Sequence, residues 1–177
     1  MLRGLVLLLS FVLQACMTTA PSGGADYGGQ GCTALEIPEG TESISYYSRN
    51  DRREDRFLKA KGFMILHDAS CERRGNKLVL NAMIDIGYDL GRLGRINQND
   101  KAIFLFPYAI MIVDDNQKVL VQDTMETYAH FEAHQVSART NEIITKEYTL
   151  PRSAYGKNLS VFIGFIQSAE GDDAWIE

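Results

Sequence analysis

The chain has 177 residues, 45% of them hydrophobic, with 18 Lys and Arg against 23 Asp and Glu for a formal charge of −5. That length suits one domain with a buried core of its own. The acidic balance, with no long basic stripe, excludes the electrostatic footprint of a nucleic-acid binder. No apolar run reaches the roughly 20 residues that a permanent membrane helix needs.

The chain opens on Met1-Leu2-Arg3, a short basic start, followed by an almost wholly apolar stretch from 4 to 13. These are the n- and h-regions of a secretory signal. Leu13-Gln14-Ala15-Cys16 then resembles the lipobox of bacterial lipoproteins. The resemblance implies that residues 1–15 are cut away and that Cys16 becomes the diacylated first residue. A chance cysteine behind an ordinary signal would leave a free thiol at the terminus of an exported chain, an unfavourable arrangement. Each buried acyl methylene contributes about 0.8 kcal/mol, so several chains on one residue give a lasting membrane anchor. Met17 stands where an Asp would, by analogy with enteric lipoproteins, hold the product at the inner membrane, so outer-membrane sorting with the domain in the periplasm is expected. Loss of Arg3 with the leader takes the charge from −5 to −6, which leaves anchoring to the acyl chains.

Residues 16–31 read as the lipidated end and a flexible tether, with Pro21 and five glycines between Met17 and Gly31. Such a coil spans on the order of 20 Å. Once Cys16 is acylated, Cys32 and Cys71 remain, and two cysteines in an oxidising compartment are most simply one disulfide. It would tie the start of the domain to the strand beginning near Lys77 and contribute about 3–4 kcal/mol. A metal or redox site is disfavoured: there is no Cys-x-x-Cys and no histidine at ligand spacing from either cysteine.

From Cys32 onward the chain reads as strands. Residues 34–37 and 43–47 are short β-prone pieces around Pro38-Glu39-Gly40. Residues 49–56 form a mixed-charge loop, better read as a solvated connection than as a recognition surface. Residues 57–71 form the next strand, with Phe63, Ile65 and His67 on one face, and Arg73-Arg74-Gly75-Asn76 makes a hairpin turn. Residues 77–88 alternate strictly, with Leu78, Leu80, Ala82, Ile84, Ile86 and Tyr88 on one face. A polar loop over 91–100 precedes the apolar run 102–113, where Pro107 marks a strand start or a bulge. Asp114-Asp115-Asn116-Gln117 turns the chain into a return strand reaching Tyr128. Residues 143–150 and 159–167 form the last two strands, and 168–177 are acidic and loose.

About seven to eight short strands predict an all-β, antiparallel two-sheet sandwich of immunoglobulin or fibronectin type over 32–167, ahead of a small barrel. Cys32 after the tether, Cys71 before the alternating strand, Phe106-Pro107-Tyr108 and Gly164-Phe165-Ile166-Gln167 together resemble a group of small alphaproteobacterial envelope lipoproteins. That resemblance implies a sandwich and brings no catalytic residues.

Chemistry is sparse. His130, Glu132 and His134 lack the His-Glu-x-x-His order of a zinc protease, and on one strand they would share a face but spread over about 13 Å. Asp114-Asp115-Asn116 lacks the glycine and distal glutamate of a calcium loop, and no Gly-x-Ser-x-Gly occurs. Tyr46, Tyr47, Tyr128 and Phe131 read as core before interaction surface. The expectation is a non-enzymatic lipoprotein without cofactor or metal, held by its lipid and engaging an envelope protein. The alternative is a binder of a small apolar ligand or envelope glycan; a hydrolase built on His130, Glu132 and His134 ranks last.

Overall fold

The computed structural model describes residues 31–49 and 53–167. The expected leader and tether, with Cys16 between them, and the acidic stretch 168–177 lie outside them. Eight strands follow in chain order: β1 (Ala34–Glu36), β2 (Ser43–Tyr47), β3 (Leu58–Arg74), β4 (Lys77–Leu90), β5 (Ala102–Asp114), β6 (Val119–Phe131), β7 (Ser137–Thr149) and β8 (Leu159–Phe165). Two 3-10 turns, Asp55–Phe57 and Arg152–Ala154, are the helical pieces among the described residues, and no helix there is long and apolar enough to cross a membrane.

The strands form two four-stranded sheets, β1-β8-β5-β6 and β2-β3-β4-β7. This is the expected two-layer sandwich, with its own strand order. Immunoglobulin domains divide their early strands between the sheets, whereas β2, β3 and β4 run as a meander within one. One pairing departs from the antiparallel expectation: β1 lies parallel to β8, Ala34 beside Ser160 and Glu36 beside Phe162. The first and last strands share no hairpin, so no turn forces their directions to oppose.

β4 shows the period-two rule at its clearest. Leu78, Leu80, Ala82, Ile84, Ile86 and Tyr88 are all buried, while Asn81 and Met83 face solvent. β3 breaks the same rule midway. Ala60, Gly62 and Met64 point inward, a bulge falls at His67 between Leu66 and Asp68, and from there Ala69 and Cys71 point inward instead. One extra residue inverts the parity of everything beyond it. Phe63 and Ile65 therefore share a face, but it is the outer one. Gly75 (φ +63) supplies the positive φ that a two-residue hairpin turn of type II′ needs at its first position.

Pro107 neither starts β5 nor bulges it; it sits mid-strand, opposite Glu126. Its carbonyl accepts from Ile166 N (3.0 Å), one residue past the end of β8. Proline's missing donor thus falls on the β8 side, at the last position of that ladder, and the pairing with β6 loses nothing. β7 begins six residues earlier than its apolar pattern suggests, because polar Ser137 to Glu142 still pair with β4.

Between the sheets lie the rings of Tyr88, Phe104, Phe106, Tyr108, Phe131 and Phe165, all buried. Phe106 is their hub, with ring centroids 5.1 Å from Tyr46, 5.0 Å from Tyr88 and 6.2 Å from Phe165. Cys32, just ahead of β1, is joined to Cys71 with Cα atoms 5.9 Å apart. Cys71 lies within β3, so the bridge ties the two sheets through β3 and does not lead into β4.

Candidate functional site

His130, Glu132 and His134 do not share a strand face. β6 ends at Phe131 and the chain turns at once, with His134 at φ +63. His130 is exposed beside the Tyr128 ring (6.4 Å between centroids), and Glu132 pairs with Lys101 at 2.8 Å. Among the described residues no group of three His, Cys, Asp or Glu side chains is placed to hold a metal ion. Asp114 caps its turn: Oδ1 accepts from Asn116 N (2.9 Å) and Lys118 N (3.0 Å), and Lys157 Nζ donates to Oδ2.

The turn at 132–136 belongs to a different arrangement. Arg95, from the loop 91–101, donates from Nη1 to the carbonyls of Gln98 (3.1 Å) and Glu132 (3.3 Å), and from Nη2 to that of Gln135. His134 N donates to Gln98 O and Leu90 N to Val136 O, both at 2.8 Å. Asn97 N donates to the Asp100 carboxylate (3.0 Å), and Glu132 N to the Gln135 side chain (3.0 Å). A guanidinium shared among three carbonyls makes charge-assisted bonds, the stronger kind. The two loops are therefore one preformed unit. From it project Leu93, Ile96 and Val136, 44%, 95% and 66% exposed.

A single exposed apolar side chain needs no explanation. Three on two loops held by that many bonds are different, because their order is fixed before any partner arrives. The unit sits at one end of the sandwich. β5 starts there at Ala102 and reaches Asp114 about 40 Å away, next to Leu159. Thr33 N bonds Leu159 O at 2.7 Å. The chain thus enters the domain at the end remote from Ile96.

Inward residues of β6 and β7 form a polar seam along one side of the sandwich. The Tyr88 hydroxyl meets Thr127 Oγ1 at 2.7 Å, and the Tyr108 hydroxyl donates to Glu142. Asp123 accepts from Lys146 Nζ (2.9 Å) and the Tyr148 hydroxyl (3.0 Å). Burial pushes the Tyr88 hydroxyl up to about 12. Burial, then the carboxylate partners, push Tyr108 and Tyr148 up as well. These phenols stay protonated near neutrality and tie the sheets together, those of Tyr108 and Tyr148 as donors to carboxylates.

Lys146 lowers the Asp123 carboxyl, Lys157 lowers Asp114, and hydrogen bonds from Asn141 and then His67 lower Asp85. A carboxyl depressed by folding stabilises the fold above its unfolded value, near 3.9, and loses that contribution as pH falls through the folded value. Stability should therefore be flat from pH 7 to about 5 and drop below about 4. Urea midpoints across that range measure it, and Asp123→Asn should flatten part of the drop.

Phe131 belongs to the core and half-buried Tyr46 packs against that core, donating to Leu105 O at 2.9 Å, while Tyr128 is exposed beside Glu126. Of the 49–56 loop, residues 50–52 lie outside the described residues. Arg49 and Arg56 lie over the Phe57 ring at 5.8 and 4.9 Å, and Arg56 pairs with Glu54 at 2.7 Å. The tip residues Leu93, Ile96 and Val136 escape a reading that takes 91–100 as merely polar; two aliphatics inside a Gly- and Asn-rich loop were the available signal. Arg95 offers none, since its partners come from two distant segments.

No protein-family model and no curated protein matches the chain. A weak structural likeness runs to the variable (V) domain of the Streptococcus agalactiae AgI/II polypeptide BspA, at 6% identity over 77% of this chain and 78% of that one, with a TM-score of 0.21. A likeness of that strength carries no functional argument.

Proposed function

We propose that the chain is a non-enzymatic envelope lipoprotein, acylated on Cys16 after loss of residues 1–15 and held at the outer membrane facing the periplasm. Its sandwich docks an envelope protein through the tip formed by Leu93, Ile96 and Val136. The observation carrying this reading is the Arg95 clamp: two loops locked together to hold aliphatic side chains in water at the end remote from the entering chain. A domain of about 40 Å sets that tip well away from the end at which the chain enters. The rival, a small apolar ligand between the sheets, would compete with the aromatic rings already packed there.

Photo-crosslinkers at Ile96 and Val136 in living cells should trap one protein partner, and a crosslinker at Gln122 on β6 should not. With the crosslinker placed at Leu93 instead, Ile96→Asp with Val136→Asp should lower its recovery roughly tenfold or more, the effect of removing central apolar anchors. In the same cells Cys16→Ser should abolish labelling by a palmitate analogue and release the protein from membranes. Label that persists overturns the anchor, and crosslinking indifferent to the tip substitutions overturns the docking site.

A further inference from the structure

We infer that the open edge of β7 pairs with β7 of a second copy of this chain, antiparallel about a two-fold axis at Ile143. Among the described residues β7 has one neighbour, β4, and its other edge spans 13 residues. The direction of its backbone groups follows from two bonds at its ends. Val136 O accepts from Leu90 N and Leu150 N donates to Asn76 O, and the β4–β7 register runs unbroken from Lys77↔Thr149 to Asp89↔Ser137. Even-numbered residues of β7 therefore bond to β4. Odd-numbered ones, 139 through 147, turn their N–H and C=O toward the open edge. Their side chains lie on the outer face, where Ile143 is 77% exposed beside Met83, its partner on β4.

Charges on an edge strand ordinarily block pairing. On β7 the two outward charges, Arg139 and Glu147, have opposite signs and stand equally far from Ile143. Antiparallel self-pairing centred there sets Arg139 opposite Glu147 of the second copy, twice, with Asn141 opposite Thr145 and Ile143 opposite itself. Opposite charges facing across strands stabilise a pair and like charges oppose it. The other long open edge, β6, carries Asp123 and Glu126 and neither Lys nor Arg, so its self-pairing matches no charges. β1 and β2, with 3 and 5 residues, are too short to compete, and the length of β3 that β2 leaves uncovered is broken by the bulge at His67, which disfavours edge pairing. The occupant the edge fits is the chain itself, and the product is one continuous sheet running through both copies. This surface is separate from the tip, so either can fail alone.

Sedimentation of the purified full-length chain over a micromolar range tests the proposal. The wild type should dimerise, and Arg139→Glu, which sets carboxylates opposite one another, should raise the dimer dissociation constant about tenfold. The double change Arg139→Glu with Glu147→Arg should restore it. Ile143→Cys places two thiols at Cα atoms about 5.5 Å apart, within disulfide reach, and mild oxidant should trap the dimer covalently. Thr124→Cys on β6 is the control: it should dimerise like the wild type but form no covalent dimer under oxidant. A wild type that is monomeric throughout overturns the proposal. So does a dimer indifferent to Arg139→Glu, or one trapped equally well through Thr124→Cys.

Discussion

Phe106→Ala should destabilise the domain by about 3–5 kcal/mol, the range for truncating a buried aromatic. The ring is wholly buried and touches both layers: Tyr46 on β2 and Tyr88 on β4 from one sheet, Phe104 on β5 and Phe165 on β8 from the other. Gly62 makes room for it, since a Cβ there would lie 3.0 Å from the Phe106 ring. Neighbouring rings are themselves pinned, Tyr46 by Leu105 O and Tyr88 by Thr127, so the hole cannot close by collapse. With a urea slope of about 1–3 kcal/mol/M, the midpoint should fall by about 1 M at least. A loss under about 1 kcal/mol would show that the ring is not the hub.

Removal of the Cys32–Cys71 bridge should cost about 2–4 kcal/mol. The two residues stand 39 apart in sequence, and releasing a loop of that size returns conformational freedom chiefly to the unfolded chain. Cys32→Ala with Cys71→Ala and the reduced wild type should lose stability alike, because both reach the same open chain. Thiol counting by mass spectrometry on unreduced protein should find neither cysteine free. Two free thiols, or a reduced protein as stable as the oxidised one, would contradict the bridge.

What could be read in advance divides along physical lines. β4 was legible because one face is packed along its length and the other is wet, so hydropathy repeats every two residues. β8 was legible as a short apolar run, with Val161, Ile163 and Phe165 buried between the sheets and its other face also covered. β3 was legible as a strand but not in its facing, because the bulge at His67 leaves no mark in composition yet inverts every later side chain. The first half of β7 hid because its inward residues, Thr140 and Glu142, meet the polar seam and not the apolar core. Pro107 misled because its cost depends on where β8 stops, a fact of the neighbouring strand. The bridge between Cys32 and Cys71 followed from counting cysteines. The tip did not follow, since Arg95 acts on carbonyl groups and those are the same at every residue.

The position of the bridge also decides how the domain carries tension. A pull entering at Gly31 meets Cys32 first, and the sulfur link offers a covalent path straight to Cys71. Residues 33–70 then form a closed side loop that cannot be stretched along the chain. β1, β2 and β3 as far as Ser70 fall within it. The three-residue parallel pairing of β1 with β8, the shortest ladder in the sandwich, is spared the peeling load that its place next to the entering chain would otherwise impose. Force passes instead into β3 at Cys71, where the strand is paired along its remaining length with the start of β4, Cys71 beside Leu80 and Arg74 beside Lys77.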